Sequence, residues 1–487
     1  MHCGLKPFIK KYWTGILLGS AVVLAAVLRF RGLLVQSYWC DELFSATASH
    51  PNRSLLYVWD TVINFDVHPP LYHTLLWLWY RIAGFSEFTG RSLSAVTGSL
   101  GVLCLYFLGK VMYNREAGLY AAIAGSMNVF LIFYSQEVRS YSLLFLLTAV
   151  SFTFLFMFIR LRKTNSLVLY ILSTVLMVYT HYFSFFILAA QAAVFAAAFF
   201  SDKKNRKKLL IRAVIAAAAV GVCILPIIPN LFKNAGMTTF WIKRPPPMFF
   251  VYYIMYYVKN YYLLGLYCFA LVSAVLVFFC KKDRTPGYAT ATVTVLVWIT
   301  AGYALPYVRS ITSAPILTVR NTIIVVPALF VLIGYGIFLL KDRLLKTGFM
   351  LLVVFFSLYQ LHHMRYYSKV KKEQWREVII SANDAAGHVP MFDSVLMGFR
   401  YDTYADMLGM GFRVHTIDSL QACFDRKCVP DTFWVLDAHT DNIGESSLLA
   451  KSGFREISRI ERYKARGILY VYHPPRQPGR NTESGHD

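Results

Sequence analysis

Apolar residues run along this chain in stretches of roughly 17 to 25, the length a helix needs to cross the hydrocarbon core of a bilayer, and polar, often basic, connections separate them. Such stretches lie near 12–28, 92–111, 117–134, 141–160, 166–180, 184–200, 209–229, 262–280, 288–306, 321–340 and 345–361. Read as helices, they predict an all-α polytopic membrane protein with about 11 transmembrane helices. The stretch 166–180 is short, and 209–229 ends at Pro226 and Pro229. Residues 70–84, led in by Pro69 and Pro70 and rich in Trp and Tyr, are too short to span and predict a helix lying in the interface. Two further amphipathic pieces, 41–49 and 53–63, precede it, so residues 29–91 form an outer loop too long to be a mere connector.

Hydrophobicity collapses after His362 and His363. The pattern then changes to helical segments mixed with β-like runs at 394–397 and 432–436, which predicts a small α/β soluble domain over 366–473. The polar, Pro- and Gly-containing tail 474–487 reads as disordered. The organisation is thus a transmembrane module, 1–365, carrying the outer loop 29–91, followed by that domain and its tail.

Composition adds orientation. Hydrophobic residues make up 57% of the 487 and charged ones 15%, so soluble packing cannot hide the apolar surface. The 49 Lys and Arg exceed the 26 Asp and Glu by 23. In a soluble protein that excess would suggest nucleic acid; here basic clusters alternate with apolar runs, as in loops retained in the cytoplasm, and nucleic-acid binding is set aside. With the N-terminus inside, the inner connections 1–11, 110–116, 160–165, 201–208, 280–287 and 341–346 hold nineteen Lys and Arg, whereas the long first outer loop holds five Arg. The C-terminal domain then faces the outside. Were 70–84 a span, the basic clusters from Lys110 onward would fall on the wrong face.

The N-terminus has a signal-like charge pattern without a small-residue cleavage site and reads as a retained first helix. Cys3, Cys104, Cys223, Cys268 and Cys280 lie in or beside apolar segments as small hydrophobes, and no metal-ligand spacing appears among the cysteines. Cys423 and Cys428, in CFDRKC, suit a local disulfide in an oxidising compartment.

The outer returns carry the chemistry. The first has Trp39-Cys40-Asp41-Glu42, then Asp66-Val67-His68-Pro69-Pro70-Leu71; the second has Tyr134-Ser135-Gln136-Glu137-Val138-Arg139-Ser140-Tyr141; later ones hold His181, Arg309 and Arg320. Any single interfacial acid or Arg is more often a cap or a surface pair. Four returns that each deliver ionisable groups to one face exceed that account, because charge near a bilayer is costly unless paired, hydrated or used.

Trp-x-Asp-Glu, HPPL some thirty residues on and the acidic, Arg-containing second outer loop resemble the membrane glycosyltransferases of the C-type fold. The resemblance is to the family 39 branch: dolichyl-phosphate-mannose protein mannosyltransferases, bacterial aminoarabinose transferases and their relatives. It extends to Pro315-x-x-x-x-Arg320 and to Lys372-Glu373-Gln374-Trp375-Arg376-Glu377, and covers most of 10–380. It implies transfer of a sugar, with inversion, from a polyprenyl-phosphate carrier to a lipid, glycan or protein acceptor at the outer face of the cytoplasmic (inner) membrane. Asp41 matches the family's catalytic acid, with Glu42 beside it positioning acceptor or metal. Arg139 and Arg320 are the donor-phosphate candidates, since a guanidinium stays charged and offers paired donors. His68 stands where some relatives carry Lys and is a further donor-phosphate candidate. Glu137 corresponds to a second-loop acid that some superfamily members use for a divalent ion, with His181 as a further ligand, whereas mannosyltransferase relatives work without a metal; no cofactor is certain. The absence of a β-trefoil domain points to a bacterial-type enzyme.

The rival reading is a lipid-linked sugar flippase or other polytopic transporter. It predicts ionisable groups at mid-membrane or in broken helices shared by internal repeats, but the midplane segments are almost free of charge and no repeat is visible.

Overall fold

The computed structural model describes residues 5–202, 204–236, 242–280, 285, 287–386, 388–394, 400–426, 428–438, 449 and 452–473. Among these, nine helices are long and apolar enough to cross a membrane: Tyr12–Phe30, Glu87–Met112, Tyr141–Leu161, Ser184–Ser201, Arg206–Ala235, Tyr261–Phe279, Tyr288–Thr312, Asn321–Phe338 and Arg343–His363. A tenth span is present if Arg115–Ser126 and Val129–Ser135, bent by 64° at their junction, cross as one. The stretch near 166–180 is the shorter helix Thr164–Val178. The chain is a multi-span membrane protein.

Residues 71–83 form a helix of 13 residues, about 20 Å long and so shorter than a hydrocarbon core. Cys40–Ala48 and Leu55–Phe65 are the two short helices before it.

The chain divides into two compact units, Met1–Leu33 with Ala48–Lys369, and Leu34–Thr47 with Val370–Asp487. The second boundary falls close to the change in hydrophobicity. The first assigns the Asp41 segment to the C-terminal unit.

In the membrane unit, Glu87–Met112, Tyr141–Leu161 and Asn321–Phe338 are mostly buried, whereas Arg206–Ala235 and Tyr261–Phe279 leave much of their apolar surface exposed. Lipid tails supply no hydrophobic force between helices, so close packing must hold them, and small residues permit it. A Cβ on Gly118 would lie 2.3 Å from the Tyr106 carbonyl oxygen, and one on Gly334 would lie 2.2 Å from that of Ala117.

The bent pair is held by a buried arginine. Arg29 donates to the carbonyls of Ser126 (2.8 Å), Ala25 (3.2 Å) and Gly125 (3.3 Å) and to Ser135 Oγ (3.2 Å), satisfying groups that a broken helix leaves open. Asn128 caps the second half by accepting from the Leu131 N–H at 3.1 Å and donates to the Tyr257 carbonyl at 2.9 Å. Gln136 then donates to the Arg29 carbonyl (2.9 Å) and accepts from Tyr366 Oη (3.1 Å). These bonds fix where the polar turn 136–140 emerges.

The C-terminal unit contains a five-stranded sheet of β1 (Met391–Asp393), β2 (Val414–Thr416), β3 (Thr432–Ala438), β4 (Phe454–Arg462) and β5 (Ala465–Tyr472), in the order β2-β1-β3-β5-β4. β1 pairs parallel with β2 and β3, while β5 runs antiparallel to β3 and β4. Helix Trp375–Ala386 covers the face that bears Gly467, where a Cβ would sit 3.4 Å from Val378. On the other face, Phe392, Phe433, Val435, Ile468 and Tyr470 pack with Leu420 of helix Ile417–Arg426. The expected strand 432–436 is β3; residues 395–397 of the expected run 394–397, and the tail 474–487, lie outside the described residues. Cys423 and Cys428 are free thiols rather than a disulfide. The Cys423 thiol is pushed up by its hydrogen bond with Cys428.

Candidate functional site

In the membrane unit the site grows from the ends of three short elements. Asp66 ends helix Leu55–Phe65, its N–H bonded to the Val62 carbonyl. His68 and the two prolines follow; the Leu71 N–H then bonds the Tyr179 carbonyl at 3.1 Å, which ties the start of the next helix to the turn bearing His181. Arg139 comes from the turn after the bent pair, and Tyr141 opens helix Tyr141–Leu161.

These side chains meet. His68 Nδ1 lies 2.6 Å from Asp66 Oδ1 and 3.1 Å from Arg139 Nη2. One nitrogen cannot both donate to the carboxylate and accept from the guanidinium; the shorter contact with an ionised acceptor places the proton on Nδ1, donating to Asp66. Arg139 Nη1 and His73 Nε2 each lie 3.5 Å from Asp66 Oδ2. The His181 ring sits 4.6 Å from that of His68 and 6.0 Å from that of Tyr141, and the Arg320 guanidinium carbon lies 5.8 Å from the Tyr141 ring centre. Asp66, His68, His73, Arg139, Tyr141 and His181 are all buried.

Electrostatics follow from that crowding. Burial alone would raise the Asp66 carboxyl, but His68, Arg139 and His73 together hold it well below the usual carboxylate range. Burial, against the pull of Asp66 and with the push of Arg139 and His68, brings His73 down to about 4. Burial and the same neighbours carry His181 well below its ordinary value. Both of these rings are therefore neutral near pH 7. His181 Nδ1 accepts from the Phe183 N–H at 3.1 Å, so its proton sits on Nε2. That nitrogen is buried without a hydrogen-bond partner among the described residues. The cluster therefore offers two guanidiniums and the His181 N–H beside one deeply ionised carboxylate, an arrangement suited to an anion.

Of the residues singled out from the sequence, His68, Arg139, His181 and Arg320 come together. Glu137 is buried and turned to other neighbours: burial, Tyr367 and Glu137 push the Tyr366 phenol well up. His181 meets His68, Tyr141 and Phe183 rather than Glu137. Among the described residues no group of three or more His, Cys, Asp or Glu is arranged to hold a metal ion. Asp66, His73 and Tyr141 are additions. The Asp-x-His spacing was a signal for Asp66; His73 sits in an apolar helix with nothing local to mark it.

Asp41 and Glu42 belong to the C-terminal unit. Both lie in the first turn of helix Cys40–Ala48. Asp41 is half-buried, and its carbonyl accepts from Ser45 Oγ at 2.9 Å. Glu42 is fully buried, accepts from the Trp39 N–H at 3.3 Å, and pairs with Lys372 Nζ at 2.8 Å.

Comparison with known proteins gives these sites a setting. Residues 67–232 match the family model of dolichyl-phosphate-mannose-protein mannosyltransferase. No curated protein matches the sequence. Among solved structures, ArnT from Cupriavidus metallidurans in the apo state is similar with a TM-score of 0.64 at 11% identity, covering 94% of this chain and 98% of that one. The same protein bound to undecaprenyl phosphate gives 0.60 at 12%, with the same coverage. The archaeal oligosaccharyltransferase AglB from Archaeoglobus fulgidus, in complex with an inhibitory peptide and a dolichol-phosphate, gives 0.56 at 10%, covering 96% of this chain and 75% of that one. Residues 67–232 thus match that family's model, and nearly the whole chain shares its fold with these solved structures.

Proposed function

We propose that this protein is an inverting glycosyltransferase that moves a sugar from a polyprenyl-phosphate carrier to an acceptor at the outer face of the cytoplasmic membrane, with the N-terminus inside and the C-terminal domain outside. The observation that carries the reading is the convergence of Arg139, Arg320, His68 and His181 around Tyr141. Structural neighbours bound to undecaprenyl phosphate and to a dolichol-phosphate support it.

The chemistry assigned to these residues is a direct displacement. Asp41 takes the proton of the acceptor hydroxyl, the acceptor oxygen bonds to the anomeric carbon, and the bond from that carbon to the phosphate oxygen breaks, its electron pair leaving with the lipid phosphate. Arg139 and Arg320 offset the charge that develops on the departing phosphate. Asp66 holds Arg139 in place and is itself steadied by His68, the carboxylate being kept ionised with the help of the guanidinium it orients. Hexose or pentose, and lipid, glycan or protein hydroxyl, are alternatives within this one scheme.

The test separates transfer from transport. Purified protein in detergent, where no vectorial movement is possible, is given a panel of undecaprenyl-phosphate-linked hexoses and pentoses with envelope lipids and glycans as acceptors. Transfer with loss of the sugar from its carrier is expected. Protein that binds carrier yet releases no sugar in detergent, but moves it across proteoliposomes, is a flippase.

A further inference from the structure

The segment carrying Asp41 is held from the C-terminal domain. Gln36 Oε1 accepts from the backbone N–H groups of Lys371 (2.8 Å) and Lys372 (3.1 Å). Arg376 donates to the Leu34 carbonyl at 3.1 Å, and Ser37 bonds the Glu377 carboxylate. At the other end Thr47 Oγ1 lies 2.6 Å from Thr403 Oγ1, and Tyr404 Oη receives the Tyr38 N–H. Between these clasps stands the Glu42–Lys372 pair, at 0% and 11% side-chain exposure.

Glu42 is the third residue of its helix and accepts from the N–H of the residue that caps it, the carboxylate half of a capping box. A further partner, the Lys372 ammonium, comes from a position 330 residues away. A buried ion pair adds little stability over apolar residues of the same shape, because desolvation offsets the attraction. Its geometry is what apolar residues cannot reproduce: it sets the rotation and height of the first helical turn, and Asp41 is the preceding residue of that turn.

We infer that the C-terminal domain is part of the catalytic apparatus, and that Lys372 is a positioning residue which, through Glu42, orients Asp41 toward the acceptor. The inference rests on the assignment of Asp41 as the base. It makes Glu42 a member of the support for Asp41 rather than a group that handles acceptor or metal.

Lys372→Met and Lys372→Arg in the full-length protein test it, read by two independent measurements. Hydrogen exchange should rise in residues 34–47 of Lys372→Met while the strands Thr432–Ala438 and Ala465–Tyr472 keep their protection. Turnover of the undecaprenyl-phosphate-linked sugar panel should fall at least about tenfold in kcat, with the donor KM moving less than about threefold, and Lys372→Arg should recover most of the loss. Unchanged exchange in 34–47, exchange that rises equally across the sheet, or full kcat despite a loosened segment would each overturn the inference. If the wild type turns over none of the panel, the glycosyltransferase reading fails, and the exchange data still decide whether Lys372 holds the Asp41 segment.

Discussion

At the scale of single residues, Arg139 joins a buried carboxylate to the anion site, so its removal should hurt binding before it hurts folding. Arg139→Ala is expected to weaken binding of undecaprenyl phosphate, measured in nanodiscs, by about 2 to 3 kcal/mol, the size of a charge-assisted hydrogen bond. Arg139→Lys should restore only part, since a point charge lacks the paired donors. Loss of folding instead would make Arg139 a packing residue. A second expectation concerns acid. His73 is brought down to about 4 in the folded protein from an ordinary 6.5, so between these values the unfolded chain binds the extra proton. The stability that His73 contributes is therefore complete above about pH 6.5 and is lost as pH falls toward 4, by at most about 3 kcal/mol, and His181, also held below its ordinary value, adds a loss of the same sign. Thermal inactivation should show this loss, and His73→Gln should flatten it. The Asp66 carboxyl, held low, adds a loss only at still lower pH.

At the scale of elements, the bent pair and its arginine decide where the turn 136–140 emerges. Arg29→Met removes donors from three carbonyls and one hydroxyl inside the protein, and should destabilise it by roughly 2 to 4 kcal/mol. A drop in melting temperature in detergent, with weaker carrier binding in what remains folded, is the expected result; an unchanged melting temperature would deny the arginine its role. Elements were also where the sequence was most readable. Long apolar runs with basic ends mark spans because lipid leaves helices few alternatives, and the runs near 92–111, 141–160 and 345–361 are the helices Glu87–Met112, Tyr141–Leu161 and Arg343–His363. The short run 166–180 became a helix of 15 residues. The 64° bend was hidden, since it depends on Arg29, about a hundred residues upstream. For the candidate site, Asp41, His68 and Arg139 stand in local motifs that a sequence shows. Lys372 is visible only as part of a family-like motif and His73 not at all, because their partners are contacts that no spacing along the chain encodes.

At the scale of the whole molecule, the proposed transfer requires the Asp41 segment, the Asp66 cluster and the C-terminal domain to share the outer compartment. In a background without native cysteines, Asp418→Cys should react with a membrane-impermeant maleimide added to intact cells, and Lys207→Cys only after permeabilisation. Labelling of both from outside would refute the orientation. The C-terminal unit takes the 34–47 segment, and Asp41 with it, into its own fold, so deletion of residues 370–487 should abolish turnover even where the helices still insert. Sugar transfer by Asp41 is read in single-turnover release of undecaprenyl phosphate from its linked sugar, with acceptor present, by wild type and Asp41→Asn in detergent. Asp41→Asn should bind carrier as wild type does and release at least about a thousandfold more slowly, as befits loss of a general base; release at the wild-type rate would rule Asp41 out as the base.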